Sequence, residues 1–159
     1  MNEMASFAFT SVLIPFVSAI IGGLVPTVFS YLQHKKEWWW QKKTETYTEV
    51  ISALYDAQLF SDEHYTAAIT RRDVPADRDA ELRAKSKLAR DTILKARDTG
   101  IFFLSNDAIQ RIKQYEKEQS QATQTTSWEE FLDSDLAATS SCLRDFMEIA
   151  QKDLRKIMS

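Results

Sequence analysis

The chain has 159 residues and a formal net charge of -3, a length that fits one domain, or one domain with an anchor. Its single cysteine, Cys142, excludes an intrachain disulfide and the multi-cysteine zinc folds, and suits a reducing compartment. The modest average charge hides an asymmetry, because no Asp, Glu, Lys or Arg occurs between Glu3 and Lys35.

The first predicted element fills that gap. Residues 7–32 read FAFTSVLIPFVSAIIGGLVPTVFSYL and hold fourteen Leu, Ile, Val or Phe residues. A membrane helix needs roughly 20 mostly apolar residues. At about -0.3 to -0.6 kcal/mol each, these fourteen favour insertion by roughly 4 to 8 kcal/mol before Ser, Thr and Pro are subtracted. A cleaved signal peptide fits poorly, since there is no positive n-region, the apolar run is too long and no A-x-A site follows. A buried core helix fits poorly too, because the rest of the chain is too small to cover a helix that is apolar all round. Residues 1–33 are therefore expected to form one transmembrane helix. Ser18 and Gly22, and Ala19 and Gly23, are small-xxx-small pairs that let helix backbones approach in lipid. Pro15 and Pro26 are possible kink positions.

Residues 34–43, HKKEWWWQKK, place three tryptophans between two lysine pairs. Successive helical side chains diverge by about 100°, so one core cannot bury all three. Tryptophan is enriched where membrane meets water, and lysine reaches lipid phosphates. Lys35, Lys36, Trp38, Trp39, Trp40, Lys42 and Lys43 read as an interfacial collar. Leu32 to Trp39 is about 10 Å of helix, so some tryptophans can instead pack between subunits. Four lysines after the span and no Lys or Arg before it put the short N-terminus outside and the C-terminal part in the cytoplasm.

Residues 44–159 contain one glycine and one proline, a helical composition. Helical spacing of Tyr47, Val50, Ile51, Leu54 and Ala57, with Leu59 and Phe60 beyond, predicts a helix that continues from the span and ends near Arg71. Arg72 to Asp77 reads as a loop. A second helix is expected over residues 79–98, with Leu82, Ala89, Ile93 and Ala96 inward and Gly100 as its stop. After the apolar Ile101-Phe102-Phe103-Leu104, the Ser105-Asn106-Asp107 start opens a third helix carrying Ala108, Ile109, Ile112 and Tyr115 to about Ser120. Ser127-Trp128-Glu129-Glu130 fits a capping box for a fourth, with Phe131, Leu132, Leu136, Leu143, Phe146, Met147, Ile149 and Leu154 as its apolar positions. The expected fold is all-α: one transmembrane helix, then a cytoplasmic bundle of about four helices over residues 44–159.

No catalytic constellation stands out. His34 and His64 are far apart in sequence, the glycine-rich phosphate loops are missing, and Asp133 and Asp135 diverge on a helix. No enzyme, cofactor or metal is expected. One charge feature is informative. Residues 71–97 carry nine bases against five acids, and residues 98–159 carry seven against eleven. Arg83, Lys87, Arg90 and Arg97 fall on one helical face, with Arg71 and Arg72 nearby in sequence. Such a cluster suits phosphate oxygens. It also suits a solvated face, or salt bridges to the acidic helices.

Three short patterns carry a resemblance. They are Tyr47-Thr48-Glu49-Val50-Ile51-Ser52-Ala53-Leu54 behind a basic exit from a span, Phe103-Leu104-Ser105 with Ile109, and Phe146-Met147-Glu148-Ile149-Ala150-Gln151-Lys152-Asp153-Leu154. Together they resemble small single-span bacterial membrane effectors of anti-phage defence, closest to the cyclic tetra-adenylate-responsive effector of type III CRISPR systems. That resemblance implies a homo-oligomer, with a tetramer favoured. Its cytoplasmic domain would bind a cyclic oligoadenylate and its membrane part would then disrupt or depolarise the bilayer. Double-stranded nucleic acid is not an expected partner. The rivals are a membrane-tethered adaptor, or subunit of a membrane complex, that recruits a protein without any nucleotide, and a small membrane-held enzyme.

Overall fold

Scarcity of glycine and proline leaves helix as the favoured regular structure. The computed structural model describes the backbone of residues 2–158 and the side chains of residues 34–156, and no strand occurs among them. Four helices follow in order: α1 (Asn2–Thr70), α2 (Ala76–Thr99), α3 (Asn106–Ala122) and α4 (Trp128–Met158), with a 3-10 turn over Gly100–Phe102. The chain divides into two units, Met1–Trp40 and Gln41–Ser159. The span expected over residues 7–32, and its packing positions Ser18, Ala19, Gly22 and Gly23, lie outside the described side chains. Among the described residues no helix is long and apolar enough to cross a membrane.

In the second unit, side-chain partners fix the topology. Along α1 and α4, Tyr47 meets Asp153, Gln58 meets Ser140 and Ser61 meets Asp135. One number rises as the other falls, so the two helices are antiparallel. The same holds for α1 and α2 (Glu63 with Arg78, and Asp56 near enough to Lys85 to act on its charge), for α2 and α3 (Arg97 with Glu116, Arg90 with Gln119), and for α3 and α4 (Arg111 with Asp145, Tyr115 with Thr139). The result is an up-down-up-down arrangement. One pole carries the start of α1's bundle portion, the α2–α3 connection and the end of α4. The other carries the connections after Thr70 and Ala122.

Helix ends are specified locally. Arg71 adopts φ 52°, and the N–H groups of Arg71 and Arg72 bond to Ala68 and Ala67 carbonyls at 3.2 and 3.0 Å. That is a left-handed helix stop in which arginine takes the place usually given to glycine. Helix α2 starts at Ala76, three residues earlier than expected, because Pro75 at the cap fixes φ at -53° and Asp77 and Asp79 complement the first turn. Helix α3 runs to Ala122, two residues into the polar linker, and Ala122 is buried. Ser105 caps α3 by accepting the Ala108 N–H, and Ser127 accepts the Glu130 N–H at 3.5 Å at the start of α4. Replacing Ser105 by alanine is expected to cost about 1–2 kcal/mol, seen as a lower urea midpoint with an unchanged m-value.

The core contains Tyr47, Val50, Leu54 and Ala57 of α1, Ala89, Ile93 and Ala96 of α2, Ala108, Ile109, Ile112 and Tyr115 of α3, and Phe146 of α4. All were expected to face inward. Not every apolar position is buried. Leu59 and Phe60 are only half-buried, while Ser61 and His64 take the buried positions. The α1 seam keeps its period through 47, 50, 54, 57, 61 and 64, and α4 supplies Asp135 as a polar partner for Ser61. Met147 is 42% exposed, and in the run Ile101–Leu104 only Leu104 is buried, because Ile101 and Phe102 form the outer side of the turn.

Candidate functional site

The basic block of α2 lies on one wall of a cleft of about 760 Å³, within the 300–1,000 Å³ range of small-molecule sites. Arg83, Lys87, Arg90 and Arg97 all line it. Arg71 and Arg72 do not. They belong to the connection after α1, where Arg71 serves as the helix stop. The lining also has an aromatic part, built from Phe60 of α1 and Trp128 and Phe131 of α4. Trp128 and Phe131 stack with centroids 5.3 Å apart at 20°. Trp128 remains 49% exposed, so its ring is accessible to a ligand as well as to Phe131.

The four bases are not equivalent. Arg97 forks onto both carboxylate oxygens of Glu116 at 2.8 and 2.9 Å and also meets Asp98, and these hydrogen bonds hold its pKa above the ordinary arginine value. Arg83 donates to both oxygens of Asp79 at 2.9 Å. Among the described residues Arg90 hydrogen-bonds only the neutral amide of Gln119, at 3.2 Å. Lys87 makes no hydrogen bond or ion pair among the described residues, and it is exposed. Uncompensated positive charge is thus concentrated at Lys87 and Arg90, one helical turn apart. The acids of the cleft are Glu116, already engaged by Arg97, and Asp135.

Asp135 anchors a buried polar chain behind the cleft. Ser61 donates to one of its oxygens. Gln119 donates to the other at 2.8 Å and lies 2.7 Å from the Tyr115 hydroxyl, which pairs with Thr139. Arg90 therefore connects through Gln119 and Asp135 to Ser61 of α1. Buried groups joined this way have no cheap alternative partner. Cys142, buried behind Arg111, is pushed up to about 12 by burial, so it is an unreactive core thiol.

His64 closes the aromatic side. Its ring sits 4.4 Å from Phe60 and 6.1 Å from Trp128. Nε2 lies 3.2 Å from Asp79 Oδ1 but lacks the alignment of a hydrogen bond. Burial lowers the pKa of His64, and the Asp79 carboxylate only partly offsets this. The unfolded chain therefore binds a proton more readily than the folded one. Stability contributed by neutral His64 is full above about pH 6.5 and is lost as pH falls below that value. His64→Gln is expected to flatten the fall in melting temperature between about pH 7 and pH 5, followed by calorimetry.

The collar residues divide between the two units. Trp38, Trp39 and Trp40 are 51%, 42% and 37% exposed, and Trp38 and Trp39 meet edge to face. Lys35 and Lys36 are exposed as well. The other lysine pair is used differently. Lys42 pairs with Glu45 at 2.7 Å, and Lys43 reaches Asp153 of α4 at 2.7 Å with only 18% of its side chain exposed. Lys43 thus makes its ion pair within the bundle, while the structure places Lys35 and Lys36 at the surface.

Sequence reasoning missed the aromatic lining. Trp128 was read as part of a capping box, and Phe60 and Phe131 as core positions. Trp128 lies on the apolar stripe of α4, five turns before Phe146, so its spacing alone reads as one more core position. No family model, curated protein or solved structure matches this chain.

Proposed function

We propose that this chain is a membrane-anchored effector whose helical domain binds a cyclic oligoadenylate, and that binding drives disruption or depolarisation of the membrane. One observation carries the reading: Lys87 and Arg90, whose charge no described carboxylate pairs, line the same cleft of ligand size as an accessible stacked pair, Trp128 and Phe131. Phosphates suit the two bases and purine rings the stacked pair. An isolated anion would need no aromatic lining, and an acidic peptide would need no stacking platform. The choice of cyclic tetra-adenylate, a role in anti-phage defence and a tetrameric assembly come from the sequence resemblance.

On this reading residues 7–32 cross the inner membrane once, with the N-terminus outside and the bundle in the cytoplasm. The charge-free sequence and the lysines after it support that arrangement. A ligand shifts an equilibrium only through its different affinity for two states. The chain Arg90–Gln119–Asp135–Ser61 offers such a difference, because a phosphate that draws Arg90 from Gln119 disturbs a network that includes α1.

The test is titration of the purified chain with cyclic di-, tri-, tetra- and hexa-adenylate at fixed salt, reading heat and oligomer mass together. Submicromolar binding of one ring size supports the reading. A folded protein that binds none of them sinks it, and leaves the protein-recruiting membrane adaptor as the better account.

A further inference from the structure

The geometry points to a second membrane contact, on the bundle itself: Ile101 and Phe102, in the turn between α2 and α3, enter the headgroup region of an anionic bilayer. The inference rests on the membrane reading of residues 7–32 and is independent of what fills the cleft.

Ile101 and Phe102 are each 69% exposed, although Gly100 before them and Leu104 after them are buried. Scattered apolar side chains at a surface need no explanation. Here two large ones are consecutive and form the outer side of a turn, and the position of that turn is informative. By the antiparallel order of the helices, it shares its pole with Lys43, Tyr47 and Asp153, and the Ser105 N–H bonds to the Tyr47 hydroxyl at 3.1 Å. This is the pole at which the bundle joins the preceding chain. Leu32 and Lys43 are eleven residues apart, about 17 Å as helix. If residues 7–32 sit in a bilayer, chain connectivity alone limits how far this pole can lie from its surface.

Charge at the same pole fits an anionic surface. The last turns of α4 carry Lys152, Arg155 and Lys156, all exposed. Asp153 between them is engaged by Lys43. Of the nearby acids, Asp98 is held by Arg97, and Asp107 stands in the first turn of α3. Exposed acids, Glu49 and Glu148, lie within two turns of the same helix ends, yet basic residues at one pole with an exposed aromatic and aliphatic pair are the elements by which peripheral segments bind lipid. A second copy of the chain would also cover Ile101 and Phe102, but the bases beside them would repel their equivalents in a symmetric contact.

The full chain tests this directly. Cys142 is fully buried, so a cysteine introduced as Phe102→Cys labels selectively with a polarity-sensitive dye. Asp73→Cys, exposed at the opposite pole, is the control. Each labelled protein is reconstituted in phosphatidylcholine–phosphatidylglycerol vesicles with and without a quencher on the acyl chains. The expected result is a blue shift and loss of most emission at position 102 with quencher lipid, no change at position 73, and weaker quenching without phosphatidylglycerol. Protein that fails to float with the vesicles overturns this inference together with the membrane reading. Protein that floats without quenching at position 102 overturns this inference alone. So does a blue shift that follows protein density and ignores the lipid quencher, which would assign the turn to a second copy.

Discussion

Lys87→Glu/Arg90→Glu is expected to weaken the proposed cyclic oligoadenylate binding by at least about 30-fold, since removing charged partners of a desolvated anion costs about 2–5 kcal/mol. Arg83→Ala and Arg97→Ala are expected to change it by less than about 10-fold, because each arginine would have to leave a carboxylate before meeting a phosphate. Trp128→Ala removes one stacking platform, worth about 1–3 kcal/mol per base. Calorimetry on the purified variants separates these effects. Wild-type affinity should fall with added salt, and the double variant should show a shallower slope. Equal losses for all four bases would mean that the present ion pairs do not order the site. Circular dichroism guards against misfolding, which is not expected, because Lys87 and Arg90 are exposed.

The helices could be read from sequence because their apolar positions recur at helical spacing and their ends carry local signals. Ser105 and Ser127 acted as expected, and Gly100 follows α2 directly. Identifying the cleft required tertiary contacts. The spacing of Arg83, Lys87, Arg90 and Arg97 puts them on one face, but it cannot say that Asp79 and Glu116 engage two of them. Nor can it bring Phe60 and Phe131, 71 positions apart, to one cleft. Buried Ser61, His64 and Asp135 were invisible for the same reason: a polar residue in an apolar stripe reads as a break until its partner is seen. Sequence alone cannot pair Lys43 with Asp153, 110 positions away. The three patterns behind the resemblance, weak in sequence, meet in space: Tyr47, Ser105 and Asp153 share one hydrogen-bonded node.

That node rests on Phe146, and Phe146→Ala is the substitution expected to damage the bundle most. Its ring is fully buried and lies 5.5 Å from that of Tyr47 at 49°. Truncating a buried phenylalanine costs about 3–5 kcal/mol, a large share of the roughly 5–15 kcal/mol that holds a domain together. The cavity would open beside Tyr47, whose hydroxyl lies 2.7 Å from Asp153 Oδ2. Burial pushes that hydroxyl up to about 12, so it remains a donor at neutral pH. Tyr47→Phe keeps the ring and removes only the hydroxyl, taking one hydrogen bond from Asp153 at about 1–3 kcal/mol. The node also has an acid limit. Burial works to raise the Asp153 pKa, but hydrogen bonds from Lys43 and Tyr47 outweigh it, so the net shift is downward. Its stabilisation is full above the unfolded aspartate value, near pH 4, and is lost as pH falls through the lower folded value. Urea midpoints of Phe146→Ala, Tyr47→Phe and wild type should therefore rank in that order at pH 7, with Phe146→Ala lowest. The gap between Tyr47→Phe and wild type should narrow below about pH 4, whereas that of Phe146→Ala should persist, because a cavity does not titrate. A Tyr47→Phe loss that is the same at every pH would assign the effect to the neutral hydrogen bonds with Ser105 and not to Asp153.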